Sequence, residues 1–355
     1  MNKYLSFALI FSSFLYATSI DTALKKGKYK GDFALHYEHY NYKNLQNSGY
    51  AMYSVGLAYK SGKFNNFQLN LGFRANNKIY ELHNGNFDNT TKSILHTANL
   101  TYSDSNYKIV IGRKKETMQW IHGFQEEIKL VYNKSYKLIL LHTYRHGRAN
   151  NHEELKSFRK INGNDGLNVM EIGKKTDNTK IQLYFYNAPN LVNWFGSTIN
   201  LKQKNCNVKL VYSKSNELTN KPEGSYFNIE SSFKTKPAFL TIGYIQTDKN
   251  GGLGSMRMDR NVYDNMNPLE EGFHIFSKDA KTIYSNIILK TNGKLSFKIN
   301  VGHIKFQNKK ANEIDFYTNY ILNKNFSLEL CLDKYISDVN KDELTAIKTQ
   351  LVYKF

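Results

Sequence analysis

The chain has few of the residues that interrupt or cross-link a fold. Its 355 residues include 4 prolines and 2 cysteines. Because proline cannot donate to a sheet ladder, its scarcity permits many uninterrupted strands. Cys206 and Cys331 fall in separate predicted strands, with most of the predicted sheet between them, and neither has a neighbour at metal-ligand spacing. The composition argues against a disulfide-stabilised domain and against a cysteine metal centre.

Long apolar runs are also missing. The main apolar segment, 5–16, follows a positive start at Lys3 and precedes the small residues at 17–19. This pattern is typical of a secretory signal peptide that is cut after Ser19. No later segment approaches the roughly 18 consecutive apolar residues of a spanning helix. We predict a signal peptide at 1–19 and a mature protein that crosses the inner membrane without staying in it.

Aromatic residues, by contrast, are abundant, with 26 tyrosines and 22 phenylalanines. At the C-terminus, 347–355 alternates between an apolar face that ends at Phe355 and a polar face that contains Lys348. A period of two indicates a β-strand. An amphipathic edge strand of a soluble protein has the same alternation. The terminal phenylalanine, however, resembles the strand end by which the barrel-assembly machinery recognises outer-membrane barrels, so we predict that Phe355 binds this machinery.

Similar alternation recurs along the chain and predicts eighteen strands of about the length of a tilted spanning strand, 9 to 11 residues. The predicted strands are 30–40, 51–59, 67–74, 92–103, 107–115, 125–133, 136–146, 166–175, 180–188, 194–202, 206–213, 225–234, 237–247, 280–290, 295–306, 313–323, 326–336 and 343–355. Alternation is blurred at 125–133, 166–175 and 194–202, which leaves sixteen strands as the competing count. Only a closed barrel leaves no unpaired strand edge in lipid. The sequence therefore predicts an all-β, transmembrane antiparallel β-barrel over 20–355.

The links between predicted strands alternate in length. Tight polar turns alternate with generally longer links, of which 76–91, 147–165 and 248–279 stand out. Bacterial outer-membrane barrels show this asymmetry, with the short turns in the periplasm. A barrel of sixteen to eighteen strands is wide enough to contain a water-filled lumen. We therefore predict a channel in the bacterial outer membrane.

Polar and basic side chains on the inward faces predict a channel wall. The basic residues predicted to line the pore or its constriction are Arg74, Lys108, Arg113, Lys129, Lys137, Arg145, Lys209, Arg257, Arg260, Lys298 and Lys348. With a net charge of +19, this basic excess favours anionic solutes. Two alternatives remain open: the charge binds lipopolysaccharide phosphates, or it reflects general composition. Acidic residues also fall on inward faces, which would create a transverse field; they are Glu127, Glu230, Asp315, Glu329 and Asp333.

Three segments resemble OprD-type porins. The hairpin 95–113 is similar to the family's tyrosine-ended strand followed by a Gly-Arg-Gln strand, with lysine at the third position here. The segment 264–272 is similar to the family's Asn-Pro loop, and the strand at 313–315 also fits. The resemblance implies an eighteen-stranded monomeric or homotrimeric porin for small, often carboxylate-bearing solutes. It further implies a constriction made of infolded loops and a row of basic side chains.

The constricting loop is a separate prediction. The family commonly narrows its pore with the third loop, but the corresponding link at 116–124 is short here. The link at 248–279 is the longest. We predict that it folds into the pore and places Arg257 or Arg260 at the narrowest point; the alternative is a mobile surface loop.

No enzymatic signature emerges. The ten histidines do not form a zinc-ligand pattern, and no phosphate-binding glycine loop is present. We predict no catalytic residues, no cofactor, no metal and no nucleic-acid partner. The predicted function is an outer-membrane porin for passive diffusion of small hydrophilic solutes, in contact with outer-membrane lipid and lipopolysaccharide. The alternative is a structural or adhesin barrel that binds through its surface loops.

Overall fold

The computed structural model describes residues 19–258, 266–291 and 293–355. Apart from Ser19, the predicted signal peptide lies outside these residues, and so does Arg260. The described chain opens with a short helix, α1 (Ile20–Lys25), whose first turn is capped by Ser19 Oγ accepting from the Thr22 amide at 3.2 Å. In this part of the chain no helix has the length and apolar character needed to cross a membrane.

Alternating β-branched, aromatic and polar residues fold into one nineteen-stranded sheet. The strands are β1 (Lys28–Tyr42), β2 (Ser48–Lys60), β3 (Phe67–Glu81), β4 (Ser93–Ser103), β5 (Tyr107–Thr117), β6 (His122–Asn133), β7 (Lys137–Arg148), β8 (Lys156–Lys160), β9 (Leu167–Lys175), β10 (Thr179–Ala188), β11 (Val192–Lys202), β12 (Cys206–Glu217), β13 (Ser225–Thr235), β14 (Ala238–Thr247), β15 (Lys281–Thr291), β16 (Leu295–Phe306), β17 (Lys309–Ile321), β18 (Phe326–Ser337) and β19 (Leu344–Lys354).

The sheet closes into an antiparallel barrel, because β1 pairs with both β2 and β19. The short strand β8 pairs with the C-terminal part of β7, from Arg145 to Arg148. Strand β9 pairs with the N-terminal part of β7, from Lys137 to Thr143. Strands β8 and β9 therefore occupy one position in the wall. The barrel has eighteen wall strands, which confirms the predicted fold and decides against sixteen.

All three segments with blurred alternation form wall strands. They correspond to β6, β9 and β11. Each is paired along its length with neighbours on both sides. Pairing with two well-formed neighbours supplies the backbone hydrogen bonds that fix a strand even where its own side chains alternate poorly.

The two rims of the barrel differ. On one rim, here called the tight-turn rim, the strands are joined by the links 61–66, 104–106, 134–136, 176–178, 203–205, 236–237, 292–294 and 322–325. On the opposite rim, here called the long-loop rim, the links include 82–92, 149–155, 218–224 and 248–280. The tight turns follow the positions that the sequence predicts.

The two faces of the wall differ in the same systematic way. Large apolar side chains on the outward face are exposed, as at Leu57 (52%), Ile128 (59%) and Ile283 (59%). On the inward face buried polar residues recur, among them Asn228 and Glu171. The main buried apolar cluster lies inside the barrel, where loops from the long-loop rim pack against the inner wall.

Candidate pore and its constriction

Three loops from the long-loop rim fold into the barrel. They are the β5–β6 loop (118–121), the β7–β8 loop (149–155) and the β14–β15 loop (248–280), which is described except at 259–265. Each loop is held to the inner wall by a different kind of contact. Together they narrow the lumen from one end.

The β5–β6 loop is anchored by a tryptophan. Trp120 is fully buried, and its ring centroid lies 6.0 Å from those of Trp194 and Tyr226, edge to face in both cases. Thr198 Oγ1 donates to Gln119 Oε1 at 3.0 Å. Such aromatic pairs add about 0.5–1.5 kcal/mol to the free energy of burial. The loop is short, yet it enters the lumen.

The β7–β8 loop is held through its backbone. Buried Asn76 donates from Nδ2 to the carbonyls of Asn150 (3.0 Å) and Glu153 (2.7 Å). Gln350 Nε2 on β19, three strand positions away from Asn76 around the wall, donates to the Asn151 carbonyl at 3.0 Å. Side-chain amides of the wall thus satisfy carbonyls that the loop removes from water. The tip of the loop sits against β1, β3 and β19.

The β14–β15 loop is held mainly by charge. Lys348 Nζ donates to Glu270 Oε1 at 2.6 Å and to Glu271 Oε1 at 2.9 Å. Tyr317 Oη donates to Glu270 Oε2 at 2.6 Å, and Asn286 Nδ2 donates to the Pro268 carbonyl at 3.1 Å. One lysine of β19 therefore fastens two consecutive carboxylates of the loop.

The two loop carboxylates have opposite pKa shifts. Burial acts to raise the pKa of Glu270, but the Lys348 ammonium and hydrogen bonds from Lys348 and Tyr317 outweigh it, so the pKa is lowered. Burial also acts on Glu271, and there it outweighs Lys348, so the pKa is raised. Glu270 is the firmer anionic partner of Lys348.

A basic cavity of about 770 Å³ opens toward the tight-turn rim below the infolded loops. The loop residues Met118, Gln119 and Met266 border it. Seven lysines and two carboxylates line it: Lys129, Lys134, Lys137, Lys174, Lys175, Lys180, Lys209, Glu171 and Glu230. Its electrostatic potential is therefore expected to be positive.

A second cavity of about 400 Å³ lies beside the anchored part of the β14–β15 loop. Its ionisable lining includes two lysines, two histidines and two glutamates, namely Lys298, Lys348, His36, His152, Glu270 and Glu329. Lys298 Nζ lies 4.5 Å from the ring centroid of Tyr317, a cation–π contact. This cavity has mixed charge.

Seven residues predicted to line the pore lie on the inner face of the wall. They are Arg74, Lys108, Lys129, Lys137, Lys209, Lys298 and Lys348. Several are paired there: Arg74 with Asp32 at 2.7 Å, and Lys129 with Glu116 at 2.5 Å. Paired cations contribute less to the field in the lumen than unpaired ones.

For Arg113 and Arg145 the prediction is wrong. Arg113 shares the outward face with exposed Ile111, pairs with Glu126 at 3.2 Å and lies 4.3 Å from the Phe158 ring centroid. Arg145 is the register partner of Glu126, beyond a β-bulge in the β6–β7 pairing. The extra residue reverses the alternation, so that buried His146 faces inward instead.

The β14–β15 loop folds into the barrel, and two glutamates of its described part form ion pairs with Lys348 of the wall. Arg257 ends a short 3-10 helix (Gly254–Arg257) and its side chain is exposed. Arg260 lies outside the described residues. Glu270 and Glu271, whose carboxylates accept from Lys348 on β19, are not among the residues that the sequence predicts for the constriction.

Other residues of the site were also missed. Lys180 lies two positions before Gln182 on the same inward face, so the alternation of β10 is enough to predict that Lys180 faces the lumen. Lys175 is the register partner of Lys180. Trp120 and His152 belong to loops, whose path through the lumen no periodic pattern indicates.

No protein-family model matches the chain, and no curated protein matches it by sequence. Solved structures do. OccAB4 of Acinetobacter baumannii is 14% identical, with a TM-score of 0.76 over 93% of this chain and 98% of that chain. OpdO of Pseudomonas aeruginosa is 12% identical, with a TM-score of 0.76 over 94% and 98%.

A third similar structure is that of Pseudomonas aeruginosa OpdK with vanillate. It is 11% identical to this chain, with a TM-score of 0.74 over 92% of this chain and 98% of that chain. The similarity extends over nearly the whole of each protein. The predicted resemblance to OprD-type porins is thereby confirmed for the fold: the chain is an eighteen-stranded barrel of the kind seen in the Occ and Opd proteins.

Proposed function

We propose that this protein is an outer-membrane porin that passes small hydrophilic solutes by passive diffusion and favours anionic, carboxylate-bearing ones. The observation that carries the proposal is the lysine-rich cavity of about 770 Å³ inside a closed barrel with an apolar exterior. A barrel of this strand number has room for an aqueous path. The fold shared with the Occ and Opd proteins supports the same conclusion.

Placement in the membrane is supported by the outer surface. The outward face exposes an apolar surface so extensive that its contact with water would be unfavourable, whereas contact with lipid is favourable. Next to the tight-turn rim the outward face carries paired aromatics, including Tyr107 with Tyr132 and Phe326 with Tyr353, at centroid distances of 5.2 and 4.7 Å. Aromatic girdles mark the interface between lipid and water. The tight turns then face the periplasm.

Preference for anions is supported by three lysines near the tight-turn rim. Lys137, Lys175 and Lys180 lie on inward faces and line the basic cavity. Across the described ranges none of the three forms an ion pair with a carboxylate, so their charges act on the lumen. The vanillate bound in the OpdK structure is an aromatic carboxylate, the class of solute that such a cluster would attract.

Channel recording tests the function. Purified protein in a planar bilayer should give discrete openings, with a reversal potential in a KCl gradient that indicates preference for chloride. Replacing Lys137, Lys175 and Lys180 together with glutamine should move the reversal potential toward equal permeability for the two ions. The physical reason is the loss of three unpaired charges from a confined path.

A matched triple variant controls for net charge. Lys26→Gln, Lys204→Gln and Lys324→Gln remove the same charge from exposed positions at the tight-turn rim, and this variant should keep the original reversal potential. An equal shift in both triple variants would reject the proposed role of the inward lysines. Persistent electrical silence of the folded barrel would reject the porin and favour a structural or adhesin barrel.

A further inference from the structure

An acidic cluster lies on the inner wall beneath the β14–β15 loop. It consists of Glu313 and Asp315 on β17 and Asp333 on β18, where Asp315 and Asp333 are register partners. One carboxylate oxygen from each residue lies within 4.8 Å of the others. The three residues are 2%, 0% and 2% exposed. Three carboxylates thus converge at a site that bulk water hardly reaches.

Only some of the carboxylate oxygens of these three residues accept hydrogen bonds. The Glu271 and Gly272 amides donate to Glu313 at 2.7 and 2.8 Å. The Glu270 amide and Asn300 Nδ2 both donate to Asp315 Oδ2, at 3.1 and 2.9 Å. Asp315 Oδ1 and both oxygens of Asp333 are buried, and within the described ranges no group outside the cluster donates to them.

In the described part of the chain the cluster also has no cationic side chain paired with it. Within 19–258, 266–291 and 293–355, no lysine, arginine or histidine forms an ion pair with any of the three carboxylates. The nearest anchoring lysine, Lys348, binds Glu270 and Glu271 instead. Like charges this close and this buried cannot all persist without a counterion, because each one disfavours ionisation of the others.

We propose that Glu313, Asp315 and Asp333 bind a calcium ion. The donors are all carboxylate oxygens, which a hard divalent cation prefers, and calcium accepts irregular sets of six to eight oxygens more readily than magnesium does. The three oxygens without donors, on Asp315 and Asp333, provide the open coordination positions. The sequence predicts no metal, because the three carboxylates lie on two strands that only the barrel register brings together.

Calcium at this site would stabilise the constriction. The carboxylates that bind the ion also accept from the backbone of Glu270, Glu271 and Gly272. The adjacent Leu269 packs over Gly302, where a Cβ would lie 2.3 Å from Leu269 Cδ1. The ion would therefore link the inner wall to the segment of the loop that narrows the lumen.

Calcium titration of the full mature chain tests the site. The protein is refolded in detergent, free of lipopolysaccharide, and titrated with CaCl₂ in a calorimeter at neutral pH. One ion is expected to bind per chain. Asp333→Asn, a nearly isosteric change that also relieves repulsion and should fold, is expected to weaken binding by at least about tenfold.

Glu171→Gln is the matched control. Glu171 is an equally buried inward carboxylate, but Tyr186 Oη and Gln182 Nε2 donate to its two oxygens, so its replacement should leave calcium binding unchanged. Absence of binding to the folded protein, or binding that Asp333→Asn leaves intact, would overturn the proposal. Since the readout is binding, failure of the channel to conduct would not affect the outcome.

Discussion

At the scale of single residues, the inner wall shows how a buried charge is accommodated. Arg74 donates from Nη1 to Asp32 Oδ1 at 2.8 Å and to Ser54 Oγ at 2.6 Å, and from Nη2 to Asp32 Oδ2 at 2.7 Å. Gly56 leaves the room that the guanidinium occupies, because a Cβ there would lie 2.4 Å from Nη2. The paired geometry makes this arginine a structural tie between β1 and β3.

Arg74→Ala is expected to lower the free energy of unfolding by about 2–3 kcal/mol. The estimate is below the 3–5 kcal/mol for a fully buried pair, since Asp32 keeps 21% of its side chain exposed. Urea unfolding in lipid vesicles would measure the change. Lys25→Ala, which breaks the highly exposed Lys25–Asp21 pair, should cause little change. Equal effects of the two variants would contradict the proposed tie.

At the scale of strands and loops, periodicity predicts the wall but not its irregularities. The strands and tight turns follow from alternation and from turn residues, and every predicted strand is present. The prediction for Arg145 is wrong because one extra residue at a bulge exchanges the inward and outward positions beyond it. No local sequence pattern indicates that extra residue. Loop paths are set by contacts distant in sequence, such as Asn76 with the β7–β8 loop. These contacts exist only after the barrel has closed.

Trp120→Ala should release the β5–β6 loop. The substitution removes a fully buried indole that packs on Trp194 and Tyr226, a loss of about 3–5 kcal/mol. We expect a lower urea midpoint together with a higher single-channel conductance. Tyr80→Ala, at an exposed aromatic of β3 that is 52% accessible, is the control and should change neither. A destabilised variant with unchanged conductance would show that this loop does not limit the pore.

The β7–β8 loop should respond to pH through His152. Burial lowers the pKa of His152, so the folded position favours the neutral ring. The ring centroid of His36 lies 6.3 Å away, and the charged groups that act on His152 besides it are Glu153, Glu270 and Glu329. Because the pKa of His152 is lower in the folded state than its unfolded value of about 6.5, the neutral ring contributes fully to the stability of the folded loop above about pH 6.5. This contribution is lost as pH falls through the folded-state pKa.

Acidification should therefore favour withdrawal of this loop. We expect single-channel conductance to rise between pH 7.5 and pH 5, and we expect His152→Gln to remove most of the rise because glutamine carries no titrating charge. His83→Gln, at the long-loop rim in the 82–92 link, is the control, and this variant should keep the rise in conductance at low pH. A pH response that persists in His152→Gln would assign the effect to another group.

At the scale of the whole molecule, the two ends of the described chain meet at one seam. Strands β1 and β19 pair from Asp32 with Lys354 to Tyr42 with Leu344. Beyond the last pair, the Gly31 amide donates to the Phe355 carbonyl at 2.9 Å and the Phe355 amide donates to the Gly31 carbonyl at 3.1 Å. The wall is closed by the pairing of β1 with β19, and the two Gly31–Phe355 hydrogen bonds extend this seam by one residue pair.

Removal of Phe355 should separate assembly in the cell from stability in vitro. Its two backbone hydrogen bonds are worth about 1 kcal/mol each, so the purified barrel should lose only about 1–2 kcal/mol on urea unfolding. The Phe355 ring is 57% exposed and lies 5.9 Å from that of Tyr353. The sequence predicts that the barrel-assembly machinery binds this residue. The amount of heat-modifiable barrel in the outer membrane should fall far more than this stability loss explains.

Phe326→Ala distinguishes recognition of the terminus from a general loss of aromatic surface. Phe326 belongs to the same aromatic girdle, 4.7 Å from Tyr353, but lies at the start of β18 rather than at the chain end. The Phe326→Ala variant should reduce the amount of barrel in the outer membrane only slightly. If both variants reduce the yield equally, the girdle as a whole governs insertion. If only the Phe355 deletion does, the terminal strand is the recognised element, as the alternation of the last nine residues indicates.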